Sequence, residues 1–259
     1  MITSIVIPVF NSEKILPILV EEIKKNIKSN YEIILINDFS EDESWKIIKK
    51  LAVRNNNIKG INLKKNYGQH NAIVAGLNYS IGANIVLMDD DLQHDPLYIK
   101  DIITELNSGY EACYVKYIKR KHIFWKKIVS NLNHFTSSIL AGKSLEIYAS
   151  SFKGFNKRIC DIIIKDKNCE VFLDWLIIHN SVKTNSINVN HRERLSGVTN
   201  YDIKKLLILW SSMIMNIKTK NTLSELIVFI IRIFIKNILF KILKKKEFNE
   251  KFSILEKTF

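Results

Sequence analysis

The chain reads as an α/β protein with a mainly parallel sheet covered by helices on both faces. Three observations predict this. Short apolar runs alternate with amphipathic segments through the first 115 residues. The segments between runs are long enough to cross over as helices, as parallel strands require. Each polar motif described below directly follows an apolar run, where ligands of such sheets bind.

Taken in order, Ile5 to Val9 is a strand, and Pro17 to Lys25 a helix with proline in its first turn. Glu32 to Ile36 is the second strand, followed by a helix from Glu43 to Val53 after the Ser40-Glu41-Asp42 turn. Ile58 to Leu63 and Asn84 to Met88 are the next strands, with helices at Asn71 to Ser80 and Leu97 to Asn107. Ala112 to Val115 is a fifth strand. Beyond it come a basic amphipathic helix at Lys126 to Leu140, a short strand at Phe152 to Phe155, helices near Lys157 to Lys165 and Val171 to His179, and a strand at Thr184 to Val189.

Two apolar helices close the chain. Ile203 to Ile217 is shorter than the ~20 apolar residues a bilayer span needs. Leu223 to Leu243 is long enough, but Arg232 and Lys236 sit at its centre, each costing about 2.5–3.5 kcal/mol there. Glu225, Arg232 and Lys236 fall on one stripe, opposite Leu226, Ile227, Ile230, Phe234 and Ile238. That pattern suits a helix lying in the headgroup layer, with Lys244-Lys245-Lys246 on anionic lipid. Packing against a domain core or a partner is the other reading. The division expected is residues 1–202 as the sheet domain and 203–259 as a helical, membrane-associating or packing segment.

The net charge of +13 asks for a polyanionic neighbour, whether nucleic acid, an anionic membrane face or a phosphorylated substrate. Much of the surplus lies in Lys116 to Lys127 and in the tail from Arg232. Nucleic acid is not expected: the aromatics and aliphatics of the closing helices share one face and are not interleaved with charges for base stacking. Cys113, Cys160 and Cys169 are scattered, giving neither a disulfide frame nor a zinc spacing. The opening Met1-Ile2-Thr3-Ser4 has no basic region or cleavage site, so a cytoplasmic protein, peripheral at the inner membrane face, is expected.

The most informative stretch is Met88-Asp89-Asp90-Asp91-Leu92-Gln93-His94-Asp95-Pro96 after the apolar Ile85-Val86-Leu87. Three carboxylates at a buried strand end repel one another unless a cation neutralises them. Alternation along extended chain puts Asp89 and Asp91 on one side and Asp90 on the other. Two hard oxygen ligands aimed at one point suit Mg²⁺ or Mn²⁺, with substrate phosphates completing the shell. Asp95 and Pro96 fit the start of the next helix, as N-cap and N1. The aspartate triplet is not needed for that.

On these residues the chain resembles a family-2 glycosyltransferase of the GT-A fold, over about residues 2 to 210. The family's opening motif appears as Ile7-Pro8-Val9-Phe10-Asn11, its Asp-Asp-Gly-Ser-x-Asp as Asn37-Asp38-Phe39-Ser40-Glu41-Asp42, its Arg-Asn-Phe-Gly as Lys65-Asn66-Tyr67-Gly68, and its Asp-Ala-Asp-Leu-Gln as Asp89-Asp90-Asp91-Leu92-Gln93. Glu193 to Tyr201 is similar to a stretch of the dolichyl-phosphate-mannose-synthase-like branch.

The resemblance implies a Rossmann-like sheet and a nucleoside-diphosphate-sugar donor. Asp38 would bond the nucleobase, with Pro8, Asn11 and Lys65 beside the donor. Asp89, Asp90 and Asp91 would be at its diphosphate. Asp89, Asp91 and Gln93 would be the metal ligands, and Arg192 and Arg194 guanidinium partners of a donor or acceptor phosphate. His94 and His191 would line the site.

Where the polyprenyl-phosphate branch has Gly-Asp-Phe-Arg, this chain has Ser150-Ser151-Phe152-Lys153, so Ser151 cannot be a carboxylate base. A phosphate acceptor is already ionised and needs no base, whereas a sugar hydroxyl does. For a hydroxyl acceptor the candidates are Glu170 and Asp174. The reaction expected is metal-dependent, inverting transfer to a lipid-linked saccharide in cell-envelope glycan synthesis, with polyprenyl phosphate as the alternative acceptor. A nucleotidyltransferase would need a Gly-rich loop, and none stands near Asn11. A catalytically dead basic scaffold is the reading from another class.

Overall fold

The computed structural model describes residues 1–117, 150–166, 173–189 and 251–259. All belong to one compact unit. The helices expected at Lys126 to Leu140 and beyond residue 202, together with Glu170, Arg192 and Arg194, lie outside the described residues.

Eight strands form one sheet: β1 (Thr3–Val9), β2 (Tyr31–Asn37), β3 (Ile58–Leu63), β4 (Asn84–Leu87), β5 (Ala112–Tyr117), β6 (Lys153–Asn156), β7 (Thr184–Val189) and β8 (Ile254–Lys257), in the order β7-β5-β6-β4-β1-β2-β3-β8. Pairing is parallel for β1 with β2 and β4, β2 with β3, and β5 with β7. β6 and β8 run against their neighbours. The helices are α1 (Leu16–Asn26), α2 (Ser44–Arg54), α3 (Gln69–Leu77), α4 (Ile99–Asn107), α5 (Lys157–Lys165) and α6 (Leu173–Asn180).

Burial explains the layers. Every residue of β1 is buried, the signature of a strand covered on both faces. Its Ile5, Ile7 and Val9 join Ile33, Leu35 and Val86 in one core with Leu16, Leu19, Val20 and Ile23 of α1, Ile48 of α2, and Ile99, Ile102 and Leu106 of α4. The α1 residues recur at three- and four-residue spacing, so one stripe faces the sheet. The opposite face takes α3, and there Gly76 makes the fit possible: a Cβ on it would lie 2.6 Å from Ile36 Cδ1 and 2.7 Å from Val6 Cγ1. At α5, Asn156 is the N-cap, its Oδ1 accepting from the Ile159 amide at 3.1 Å. Asp95 also caps as expected: Oδ1 accepts from Leu97 N at 2.9 Å and Pro96 follows, opening a single 3₁₀ turn ahead of α4.

Pro8 sits one pair inside the end of the central β1–β2 ladder, opposite Ile36. It is tolerated because pairing with β4 has already ended at Val6 and Leu87. The strands therefore part just past Pro8. Pro8 is buried within β1, near the carboxyl end of the strand.

One end of the chain departs from the sequence reading. Residues 254–257 are an edge strand, not helix, held by Gly60 N to Thr258 Oγ1 at 2.8 Å, Thr258 N to Gly60 O at 3.1 Å, and Trp45 Nε1 to Glu256 Oε2 at 2.7 Å. Four residues, of which only Ile254 is half-buried, carry too weak a periodicity to be read as strand without the edge they cover. Among the described residues no helix is long and apolar enough to cross a membrane.

Deleting residues 251–259 would bare the β3 edge. The expected outcome is a loss of at least about 1 kcal/mol, or roughly 2–4 °C in Tm, with concentration-dependent association by light scattering.

Candidate active site

The carboxyl ends of β1 to β4 and the lead-in to antiparallel β6 meet on one side of the sheet, because Leu87 pairs with Lys153. Of the residues singled out from sequence, the structure brings Asn11, Asp38, Lys65, Asp89, Asp90, Asp91 and Gln93 to this side.

Asp38 is buried at the end of β2. Its Oδ1 accepts from Tyr67 N at 2.8 Å and its Oδ2 from Gly68 N at 2.9 Å, so the loop after β3 closes over the carboxylate. Burial raises its pKa above the ordinary value, and the two amide bonds pull the other way. Gly68 takes φ 86° and ψ 157°, a region nearly closed to other residues. Lys65 lies over the Tyr67 ring, its Nζ 4.9 Å from the centroid. A ligand that donates hydrogen bonds to the remaining lone pairs of Asp38 would suit this position.

The loops after β1 and β2 are cross-braced. Asn11 N donates to Ser40 Oγ at 3.0 Å and Glu41 N to Asn11 Oδ1 at 2.9 Å. Glu13 N donates to Asp42 Oδ2 at 3.0 Å, and Ser12 N to Ser44 Oγ at 2.9 Å. Asn11, Phe39 and Leu92 all have positive φ, of 54°, 62° and 60°. Such residues concentrate at functional sites. Phe39, where the family motif has glycine, takes a left-handed conformation with a half-exposed ring.

In the acidic turn the three aspartates divide their tasks. Asp90 Oδ2 accepts from Phe10 N at 3.0 Å and from the Ser12 hydroxyl, tying β4 to the β1–α1 loop. The structure thus gives Asp90 a bracing task between the two loops. Burial, partly offset by these two bonds and reinforced by Asp89 and Asp91, pushes its pKa up to about 6. Asp89 Oδ1 accepts from Gln69 Nε2 at 2.6 Å, and Asp91 Oδ1 from Gln93 N at 3.1 Å. Asp89 and Asp91 offer only oxygen donors, which fits Mg²⁺ or Mn²⁺. Among the described residues no three His, Cys, Asp or Glu side chains form a complete metal cage, so other ligands would come from substrate or water. The part Gln93 plays within the fold is that of its backbone amide.

Asp174 is not a free carboxylate. It forms an ion pair with the buried Lys153, whose Nζ also lies 5.6 Å from the Tyr114 ring centroid. Sequence reasoning missed three contributors: Ser12, Gln69 and Lys153 as an ion-pair partner. His94, expected only to line the site, bonds Asp89 N through Nδ1 at 2.9 Å. Gln69 directly follows the Lys-Asn-Tyr-Gly motif and Ser12 directly follows Asn11, so proximity to motifs was the available signal.

Residues 4–163 match the model for glycosyl transferase family 2. The chain belongs to this family. It is 31% identical over 208 residues to a Bacillus subtilis protein named uncharacterized glycosyltransferase YkcC, covering 79% of this chain and 64% of the relative. The same figures hold for an undecaprenyl-phosphate 4-deoxy-4-formamido-L-arabinose transferase of Proteus mirabilis. The chain thus spans 64% of the length of these curated relatives. Among solved structures, glucosyl-3-phosphoglycerate synthase from Mycobacterium tuberculosis, in complex with phosphoglyceric acid, superposes with a TM-score of 0.63 at 14% identity, over 85% of this chain and 81% of that one. TarS 1–349 of S. aureus gives 0.59 at 16% identity, over 92% and 74%. These likenesses establish the GT-A fold.

Gly68→Ala meets no steric obstacle, since nothing lies within 4 Å of an added Cβ. Its cost is backbone strain alone, expected at about 1–3 kcal/mol by denaturant unfolding. Asp90 binds its proton in the folded state at pH values where the unfolded chain has released it. Stability therefore falls as pH rises from 3.8 to about 6. In Asp90→Asn, with divalent cations chelated, that fall should shrink to the part due to Asp38, and the variant should gain stability relative to the unaltered protein as pH rises to about 6.

Proposed function

We propose that this chain transfers a sugar from a nucleoside-diphosphate sugar to a polyprenyl phosphate, with inversion, at the cytoplasmic membrane face. The observation that carries the choice of acceptor is the ion pair of Asp174 with Lys153, which engages one of the two carboxylates considered as a base for a sugar hydroxyl. A sugar hydroxyl would need a base to take its proton, whereas a phosphate arrives ionised. The names of the curated relatives support the same acceptor class. Of the two acceptors the sequence leaves open, the lipid phosphate is therefore preferred over a lipid-linked saccharide.

In this reading Asp38 accepts from the nucleobase while the Tyr67 and Gly68 amides keep its carboxylate in place. Asp89 and Asp91 face the donor diphosphate and would hold Mg²⁺ or Mn²⁺ there, with the Gln93 side chain as a further ligand. The bound metal would supply neutralisation of charge growing on the departing nucleoside diphosphate. Asp90, turned back to Phe10 and Ser12, keeps the two carboxylates on one side. Lys65, Arg192 and Arg194 are assigned to phosphate charge. An acceptor phosphate oxygen attacks the anomeric carbon in line with the breaking bond to the diphosphate. The net charge of +13 and the apolar, basic pattern of residues 203–250 support seating on an anionic membrane surface.

The test is product analysis. Purified protein is given UDP- and GDP-sugars with undecaprenyl phosphate, or with an undecaprenyl-diphosphate-linked saccharide, in anionic vesicles. The expected outcome is a singly glycosylated lipid phosphate by mass spectrometry, with nucleoside diphosphate released in equal amount. Transfer to the saccharide alone would overturn the acceptor assignment. Pyrophosphate release would overturn the transferase reading itself.

A further inference from the structure

His94 is almost fully buried beside the acidic turn, 4% exposed. Its ring stacks on Phe152 at 4.9 Å between centroids with planes 11° apart, and lies 6.4 Å from the Tyr117 ring at 19°. The hydrogen bonds fix its tautomer. Nδ1 lies 2.9 Å from the Asp89 amide, and a backbone N–H can only donate, so Nδ1 carries the lone pair and Nε2 the proton. That proton points toward Ser151 Oγ at 3.2 Å, with Asp89 Oδ2 at 3.6 Å. One ring thus touches both the amide and the carboxylate of the same aspartate. It also links the turn after β4 to the lead-in of β6.

The need for such a grip follows from the turn itself. Residues 89 to 92 leave the sheet ladder, Leu92 is left-handed, and three acidic side chains follow one another in the turn. An Asp89 free to rotate about its backbone could turn away from Asp91. The bond from Asp89 N to His94 removes that freedom, and Gln69 holds the carboxylate from the other side at 2.6 Å.

We propose that His94 is the positioning residue for Asp89, acting through Nδ1 on the backbone and not as a metal ligand. It rests on the proposed function in one respect, that Asp89 faces the donor diphosphate.

Three substitutions separate the hydrogen bond from the packing. His94→Phe keeps a ring against Phe152 and removes both nitrogens. His94→Asn returns an acceptor at the Nδ1 position without the ring. His94→Gln reaches the Nε2 position and leaves the Asp89 amide without a partner. Two readouts are taken on each: calorimetric affinity for UDP- and GDP-sugars with Mn²⁺, and amide hydrogen exchange at Asp89 without any ligand.

The expected result is a loss of roughly 10–100-fold in Mn²⁺-dependent affinity for Phe and Gln, with fast exchange at Asp89. Asn should bind within about threefold of the unaltered protein and keep the amide protected. Unaltered affinity and protection in the Phe variant would overturn the proposal, as would an Asn variant as impaired as Gln. Should the Phe variant fail to fold, the Asn and Gln pair decides the question alone. Should the unaltered protein bind no donor, the functional reading falls, and Asp89 exchange still decides the positioning role.

Discussion

The organisation of the site depends on one constraint: carboxylates gathered at the end of a buried sheet must each be given partners. Four aspartates lie here, and their partners differ in kind. Asp38 takes two backbone amides from the loop after β3, and Asp90 takes an amide and a hydroxyl from the loop after β1. These bonds pull neighbouring loops onto the strand ends and so build the walls of the crevice. Asp89 accepts from the Gln69 side chain at the start of α3, and Asp91 from the Gln93 amide within its own turn. A carboxylate has about four acceptor sites to share, and a cation with a diphosphate is what two such groups side by side suit.

The same constraint separates the two ends of the proposed reaction. On the donor side, Asp89 and Asp91 bring negative charge to the crevice. On the acceptor side, Lys153 and Asp174 cancel one another under Tyr114, and Ser151 engages His94. Removing one partner of such an ion pair is strongly destabilising, so both groups are committed to the fold. The arrangement favours an acceptor that brings its own negative charge, which is why the phosphate reading stands above the hydroxyl one.

Much of this was legible in the sequence. β3, β7 and α5 fall on the expected boundaries, and β1, β2 and β4 within two residues, because buried parallel strands are short apolar runs and little else produces that pattern at helical intervals. Asp38, Asp89 and Asp91 could be singled out because carboxylates after apolar runs are chemically conspicuous. The rest depended on partners far apart in the chain. Asp90 bonds residues 78 and 80 positions away, and Asp174 pairs with a lysine 21 positions away, so nothing local shows that either carboxylate is already engaged. β8 is a strand only because β3 offers it an edge, with Gly60 bonding Thr258 across 198 positions.

Whether Asp89 and Asp91 receive a metal-bound nucleotide sugar beside Asp38 is tested most directly by isothermal titration. The protein is titrated with UDP- and GDP-sugars, with and without Mn²⁺, alongside Asp91→Ala. One nucleotide sugar should bind with Mn²⁺ present, and that binding should vanish in the variant while its Tm holds. Binding that is indifferent to both Mn²⁺ and Asp91, or absent for every donor, would contradict the assignment.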